Sequence, residues 1–248
     1  MRIVINGTTC EAENGEYILS VARRNGIDIP TLCNSDALPE MGSCRLCVVE
    51  LIERNRTKVV ASCIYPITRE VEVKTNTPRI IGIRKSIMKL LLSRAPENEY
   101  LNRIARQYGL QPSKLPELTD KAENCVLCGL CVKACEELGA NAISTAGRGI
   151  SKRISTPYEE PSAVCVGCGS CAAICPTGAI GIEEENGTRT IWGKTFELVK
   201  CERCGKFFAP NEYIEFMEKK LGEKLEGNYC NVCRKAINAE KFRDIYGL

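Results

Sequence analysis

The sequence contains no histidine, no long apolar run and no strong charge imbalance. A chain without histidine cannot contain a Ser-His or Cys-His catalytic pair, a His-ligated zinc, a His-ligated haem or a Rieske centre. No apolar run approaches the ~20 residues of a membrane span, and the first residues lack the pattern of a signal peptide. We therefore expect a soluble, cytoplasmic chain without a membrane span.

Several functional motifs are also missing. The sequence has no G-x-G-x-x-G dinucleotide loop, no P-loop and no motif for nickel or molybdenum. Its net charge is +3, from 34 Lys and Arg against 31 Asp and Glu, and it shows no recognition-helix pattern, so nucleic acid is not expected as a partner. Because no substrate site is visible, we predict no catalytic residues.

Cysteine, by contrast, is abundant, with 17 residues in a chain of 248. A secreted disulfide framework is one explanation, but the chain is long for such a framework and has no export signal. Thiols in a reducing compartment are more often metal ligands. The cysteines form three zones of four, eight and four residues with only Cys10 left over, as expected for sites that each take four ligands.

Residues 1–78 predict a small mixed sheet crossed by one helix, which is a β-grasp arrangement. An Asn6-Gly7 pair inside a β-branched run is a strong hairpin signal. A short amphipathic helix follows at 17–22 and ends at Asn25-Gly26. Further strands are predicted at 48–51, 58–61 and 70–73.

The first zone has the spacing C-x10-C-x2-C-x15-C, formed by Cys33, Cys44, Cys47 and Cys63. Two thiolates on one tight turn, Cys44 and Cys47, are expected to hold one iron of a [2Fe-2S] cluster, and Cys33 and Cys63 the other. Gly42 and Ser43 loosen the backbone so that N–H groups point at the sulfides. A zinc site or simple buried thiols are the alternatives, although a ten-residue gap suits a zinc knuckle poorly.

The residues around these cysteines resemble a known [2Fe-2S] domain. The segments 29–33, 42–50 and 61–63 are similar to the large iron–sulfur subunit of respiratory complex I and the related diaphorase-side subunit of NAD-linked hydrogenases. The resemblance covers most of residues 1–185. It implies that the chain relays electrons inside a larger oxidoreductase.

Residues 79–118 predict a helical connector that departs from this family. The family has one His and three Cys here that bind a further [4Fe-4S] cluster, but no His or Cys occurs between Cys63 and Cys125, so we expect that cluster to be absent. One helix face is predicted to contain Ile83, Ile87, Leu90 and Leu91, and a second helix runs through Leu101, Ile104, Ala105 and Tyr108. The basic residues suit either an acidic partner or a solvated face; they are Arg79, Arg84, Lys85, Lys89, Arg94, Arg103 and Arg106.

Residues 119–186 contain the duplicated motif of bacterial 2[4Fe-4S] ferredoxins. In each C-x2-C-x2-C-x3-C run, the fourth cysteine opens a short helix that points away, so it ligates the other cluster. Glycines 129, 167 and 169 let the backbone approach the sulfides, and the 29 residues between the two runs predict a β-hairpin or contact loop. Zinc ligation is the alternative. The predicted clusters are held by Cys125, Cys128, Cys131 and Cys175, and by Cys135, Cys165, Cys168 and Cys171.

Residues 187–248 predict a small zinc-ribbon-like module, which completes an α+β fold of four segments. Two C-x2-C pairs, Cys201/Cys204 and Cys230/Cys233, make a tetrahedral four-thiolate site. Zinc is the commonest occupant, and a third [4Fe-4S] cluster or a single iron are the alternatives. Asn211 is expected to cap a helix that Gly222 ends. The module's core is predicted to consist of Trp192, Phe196, Phe207 and Phe208.

Together these observations predict a non-catalytic electron-transfer subunit. By resemblance, one partner is an FMN-containing subunit that handles NAD(P)H. The second is a redox enzyme: a hydrogenase, a formate dehydrogenase or a tungsten or molybdenum oxidoreductase. The resemblance also allows soluble ferredoxin as a partner, with electron bifurcation between NAD and ferredoxin. The alternatives are a free-standing ferredoxin-like carrier and a redox or metal sensor.

Overall fold

The computed structural model describes residues 1–54, 56–111 and 124–247. The chain forms two compact units that each collect separate stretches of sequence. The first contains residues 1–134, 145–154 and 174–179, and the second contains residues 135–144, 155–173 and 180–248. The end of the connector, at 112–118, and the boundary between 118 and 119 lie outside the described residues, and the other predicted domain boundaries stay predictions.

The first unit begins with the predicted mixed sheet and its single helix. Antiparallel pairing of β1 with β2 places Asn6 and Gly7 in the connecting turn, with φ of +52° and +85°. The sheet order is β2-β1-β5-β3-β4, and only the β1–β5 pair is parallel. Buried residues of α1 pack with this sheet in one core that also contains Cys10. The elements are β1 Arg2–Ile5, β2 Thr8–Glu11, α1 Ile18–Arg24, β3 Val48–Glu53, β4 Arg56–Ala61 and β5 Glu72–Lys74.

Two helices follow as predicted, and Ile87 and Leu91 of the predicted apolar face pack against the core, but the most deeply buried residues lie on a neighbouring stripe. Helix α2 spans Pro78–Arg94, with the Thr77 hydroxyl accepting a hydrogen bond from its first turn, and α3 spans Glu99–Gln107. Leu90, predicted to be on the apolar face, is 66% exposed. The buried stripe instead consists of Ile80, Arg84, Met88 and Leu92, spaced by four. A search for apolar residues alone misses this stripe because an arginine lies in it.

In each half of the duplicated motif a short helix begins beside the third cysteine of the run. Helix α4 covers Leu130–Leu138, and α5 covers Ser170–Ala173. Each helix therefore starts one residue before the third cysteine of its run, so the expectation that the fourth cysteine opens the helix is wrong. Cys135 lies one turn further along α4, and Cys175 follows the end of α5. Between the runs, β6 Ser144–Ala146 pairs with β7 Arg153–Ser155, which confirms the predicted hairpin.

The C-terminal part of the second unit forms a four-stranded antiparallel sheet and the helices α6 and α7. The sheet order is β11-β10-β9-β8. Gly222 ends α6 in the left-handed conformation, as predicted. Asn211, however, is the first helical residue and Pro210 occupies the cap; the Asn211 amide donates to Glu215 Oε1 instead. The elements are β8 Glu183–Glu185, β9 Thr188–Ile191, β10 Lys194–Lys200, β11 Phe207–Pro210, α6 Asn211–Leu221 and α7 Asn231–Tyr246. Among the described residues, no helix combines the length and the apolar character that crossing a membrane requires.

Candidate metal centres

The first-zone cysteines meet in two pairs at the edge of the β-grasp sheet. Cys33 and Cys44 form one pair, with the Cys44 backbone N–H donating to Cys33 Sγ at 3.3 Å. Cys47 and Cys63 form the other, with their sulfurs 3.3 Å apart. This grouping differs from the predicted one, in which Cys44 and Cys47 share an iron. The reason is strand register: Val48 pairs with Ala61, and the Ser62 N–H donates to the Cys47 backbone oxygen at 3.1 Å. Cys63 directly follows Ser62, so it comes close to Cys47 where the two strands meet their loops.

Each pair contains one thiol that ionises readily and one that does not. Cys33, Cys47 and Cys63 are each 1% exposed. A hydrogen bond from the Cys44 thiol lowers the pKa of Cys33 to about 5, and one from the Cys63 thiol lowers the pKa of Cys47 to about 6. The pKa of Cys44 and that of Cys63 are raised by the hydrogen bond that each thiol donates to its partner and by burial. One thiol of each pair, Cys33 and Cys47, is therefore favoured as the thiolate, which is the form that binds metal.

Arg84 supports the loop that carries these cysteines. Its guanidinium, 1% exposed, donates to the backbone oxygens of Leu46 and Val48 at 2.9 and 2.8 Å, and to Asn76 Oδ1 at 2.9 Å. Burial lowers its pKa. The expectation that Arg84 docks an acidic partner is therefore wrong, because the side chain is consumed inside the fold. Arg94 also bonds internally, donating to the backbone oxygen of Cys125 at 2.9 Å.

The first [4Fe-4S] loop packs beside the binuclear loop within the first unit. The Ser43 hydroxyl donates to the Cys128 backbone oxygen at 2.8 Å. Cys33, Leu46 and Cys128 are buried in one core with residues of α2 and α3. At Gly129, φ is +83°, and a Cβ there would meet the Met41 methyl at 2.6 Å. The left-handed backbone favours glycine here, and the absence of a Cβ leaves room for the Met41 methyl.

The two units separate the eight second-zone cysteines into the two predicted sets. The first unit holds Cys125, Cys128, Cys131 and Cys175, and the second holds Cys135, Cys165, Cys168 and Cys171. Burial raises the pKa of Cys128 to about 11, and the negative charges of the Cys175 and Cys125 thiolates add to that rise. The ligand assignment itself stays a prediction, but this grouping is the one that exchange of the fourth cysteine requires.

The second set of cysteines lies around one small, partly open pocket. All four cysteines of the set line it, together with Ile191 and Trp192. Backbone N–H groups reach the fourth cysteine of each run in the same way: Ala142 donates to Cys135 Sγ at 3.2 Å, and Ala179 donates to Cys175 Sγ at 3.3 Å. An all-thiolate donor set with N–H bonds to sulfur fits iron–sulfur clusters.

The last four cysteines form a compact site. The sulfurs of Cys201, Cys204, Cys230 and Cys233 all lie within 4.8 Å of one another, and Cys204 and Cys230 are 3.9 Å apart. Burial opposes ionisation of Cys201, but backbone N–H groups, including that of Cys230 at 3.4 Å, lower its pKa to about 6. Four thiolates this close together fit a metal.

Trp192 is the functional residue that the sequence analysis missed. Its indole Nε1–H donates to Cys171 Sγ at 3.4 Å, so it contacts a predicted cluster ligand as well as packing in the module. Of the four predicted core aromatics, only Phe196 is fully buried, and Phe207 is 44% exposed. A Trp192-Gly193 pair between two strands was the available signal, since a two-residue turn fixes where the indole lies.

Two known protein families match separate parts of the chain. Residues 1–78 match the family described as "2Fe-2S iron-sulfur cluster binding domain", and residues 124–179 match "4Fe-4S dicluster domain".

Three curated relatives extend the match. The chain is 31% identical to the HndD subunit of the NADP-reducing hydrogenase of Solidesulfovibrio fructosivorans, over 75% of this chain and 36% of that protein. It is 28% identical to the 75 kDa subunit of the NADH-ubiquinone oxidoreductase of Reclinomonas americana, over 73% of this chain and 29% of that protein. It is 26% identical to the gamma subunit of the NAD-reducing hydrogenase HoxS of Cupriavidus necator, over 73% of this chain and 86% of that protein. The chain thus spans about a third of the length of the first two relatives.

One solved structure has the same fold. It is the NAD⁺-reducing [NiFe]-hydrogenase in the H₂-reduced state, of which one chain superimposes with a TM-score of 0.62 and 25% identity. The match covers 72% of this chain and 85% of that chain.

Proposed function

We propose that the chain is an electron-relay subunit of an oxidoreductase, because it carries the N-terminal iron–sulfur module of complex I subunits and NAD-reducing hydrogenase diaphorase subunits. It takes electrons between a flavin subunit that handles NAD(P)H and a second catalytic subunit. The proposal is supported by the two cysteine pairs of the first zone, by the division of the eight second-zone cysteines into two sets of four, and by the two matching iron–sulfur families. When bound, the clusters supply sites that accept and donate single electrons.

For the [2Fe-2S] site, the proposed ligands are grouped by contact. Cys33 and Cys44 bind one iron, and Cys47 and Cys63 bind the other, in keeping with their pairing across loop and strand. Arg84 maintains this geometry by bonding the backbone at Leu46 and Val48. The two [4Fe-4S] sites use the exchanged sets of cysteines given above.

For the C-terminal site, the sulfur separations favour a single zinc ion. Zn–S bonds of about 2.3 Å in a tetrahedron put neighbouring sulfurs about 3.8 Å apart. The observed 3.9 Å between Cys204 and Cys230 and the 4.8 Å limit for the whole set agree with this size. A four-iron cluster places iron and sulfide between the thiolates and needs a wider set. Zinc here has a structural role.

Among possible second subunits, a hydrogenase is favoured because the first relative described above, the relative matched over most of its own length and the solved structure are all named as hydrogenase proteins. Formate dehydrogenases and tungsten or molybdenum oxidoreductases stay as alternatives from the resemblance, as do soluble ferredoxin and electron bifurcation. Purification of the native complex from cells tests the proposal. Co-purification of an FMN protein and of a second redox enzyme supports it, and a chain recovered alone with full iron content favours the free carrier. Recovery of bound DNA favours the sensor.

A further inference from the structure

The β9–β10 hairpin reaches the second cysteine loop with three nitrogen donors, all within the second unit. Arg189 donates to the Gly167 backbone oxygen at 2.8 Å, and Lys194 donates to the Cys165 backbone oxygen at 2.7 Å. These two bonds fix the loop backbone. The third donor, the Trp192 indole, differs because it reaches a ligand sulfur, Cys171 Sγ.

The backbone at Trp192 is unfavourable for such a residue. Ile191 pairs with Lys194, so Trp192 and Gly193 form a two-residue turn with φ of +54° and +70°. The preceding turn, between β8 and β9, uses Asn186-Gly187 with φ of +51° and +83°. Asn-Gly is the favoured pair for this turn, whereas a bulky side chain in the left-handed region is strained because its Cβ crowds the backbone.

A strained conformation of this kind persists where the surroundings hold it, and such residues cluster at functional sites. Here the strain places the indole against the pocket that Cys135, Cys165, Cys168 and Cys171 line. Trp192 is the single tryptophan of the chain, so no other indole is available for this contact.

We propose that Trp192 is a positioning residue that raises the reduction potential of the second [4Fe-4S] cluster through its hydrogen bond to Cys171. The inference rests on the proposed ligand set. Reduction adds one electron and makes the cluster more negative, so an N–H dipole aimed at a ligand sulfur stabilises the reduced form more than the oxidised form. The site is partly shielded from water, which strengthens this effect.

The test is a redox titration of the reconstituted full chain, followed by EPR of each [4Fe-4S] cluster. In Trp192→Phe, iron content is expected to stay at the wild-type value, while the second cluster's potential shifts to a more negative value and the first cluster's does not. Replacing Trp192 by benzothienylalanine, an isostere with sulfur in place of the N–H, is expected to give the same shift. Unchanged potentials in both proteins, with full iron content, overturn the proposal.

A matched variant separates this role from a merely structural one. Trp192→Asn creates the favoured Asn-Gly turn and removes the side chain that donates to Cys171. Its thermal stability is expected to equal or exceed that of the wild type, while the second cluster's potential still falls. If the second cluster's potential stays the same or rises in Trp192→Asn, the proposed hydrogen-bond effect is contradicted.

Fluorescence provides a second readout that is independent of activity, since Trp192 is the only indole. Emission is expected to be quenched on cluster assembly and to recover more in Cys168→Ala than in Cys128→Ala. Equal recovery in both contradicts the placement of Trp192 at the second site. A reconstituted chain without two [4Fe-4S] signals overturns the ligand set, and with it the proposed function. Two clusters with unshifted potentials overturn only the role of Trp192.

Discussion

The two halves of the duplicated cysteine motif have the same spacing but different surroundings. In the first unit, the loop around Cys128 packs against the binuclear loop, α2 and α3, and Ser43 and Arg94 bond its backbone. In the second unit, the loop around Cys168 is held by the β9–β10 hairpin, and an indole donates to one of its sulfurs. Identical ligand spacing therefore defines what the two sites bind, while the elements that pack on each loop determine how they differ.

The largest expected effect tests whether the two sites are separate sets at all. Because the fourth ligand is exchanged between the runs, Cys175→Ala is expected to abolish the same EPR signal as Cys128→Ala. Likewise, Cys135→Ala is expected to abolish the same signal as Cys168→Ala. Each variant should lose about four of about ten irons. If Cys135→Ala removed the same signal as Cys128→Ala, the cross-ligation would be refuted.

The next prediction concerns the zinc site, which lies in the same unit as the second loop. Cys233→Ser should release about one zinc per chain, because metal binding at a structural site contributes directly to folding. About ten irons should remain, and limited proteolysis should cut faster within 201–247 than in the first 100 residues. Metal analysis of the anaerobic wild type decides the identity of the ion: about fourteen irons and no zinc would favour a third [4Fe-4S] cluster.

A smaller effect is expected from Arg84, which acts only within the first unit. Arg84→Met should lower the free energy of unfolding by on the order of 3 kcal/mol, since the buried backbone oxygens of Leu46 and Val48 lose their donors. The [2Fe-2S] EPR signal should broaden or shift. The exposed Arg103 on α3 is the matched control. Arg103→Met should change the free energy of unfolding by no more than about 0.5 kcal/mol and should leave the [2Fe-2S] EPR signal unchanged. Equal effects of the two substitutions would contradict the supporting role of Arg84.

The sequence predicted most of what depends on neighbouring residues. The Asn6-Gly7 hairpin, α1 and the Gly222 helix end follow from turn chemistry and periodicity over a few positions. The cysteine spacing likewise predicted the cluster types. What was missed depends on long-range register: the closeness of Cys47 and Cys63 follows from the pairing of β3 with β4.

The two side chains misread from the sequence share one cause. A buried arginine and a turn tryptophan resemble a solvated charge and a core aromatic until their partners are known. For Arg84 those partners are backbone oxygens 36 and 38 residues away in sequence, and for Trp192 the partner is Cys171, 21 residues away. Neither distance can be read from local periodicity, because each depends on how the strands pack.

The smallest expected effect comes from Cys10, the one thiol outside the four sites. It is 1% exposed in the core of the first unit, and its nearest hydrogen-bond acceptor is the Thr8 backbone oxygen at 3.6 Å. Burial raises its pKa, so it stays protonated where a ligand thiol would ionise. Cys10→Ser should leave the visible spectrum, metal content and potentials unchanged and lower stability by about 1–2 kcal/mol through the buried hydroxyl. Cys33→Ser, in the same unit and equally buried, should instead bleach or shift the [2Fe-2S] signal, because serine oxygen is a poorer match to iron than thiolate. Loss of that signal in Cys10→Ser with retention in Cys33→Ser would mean that the binuclear ligand set is wrong.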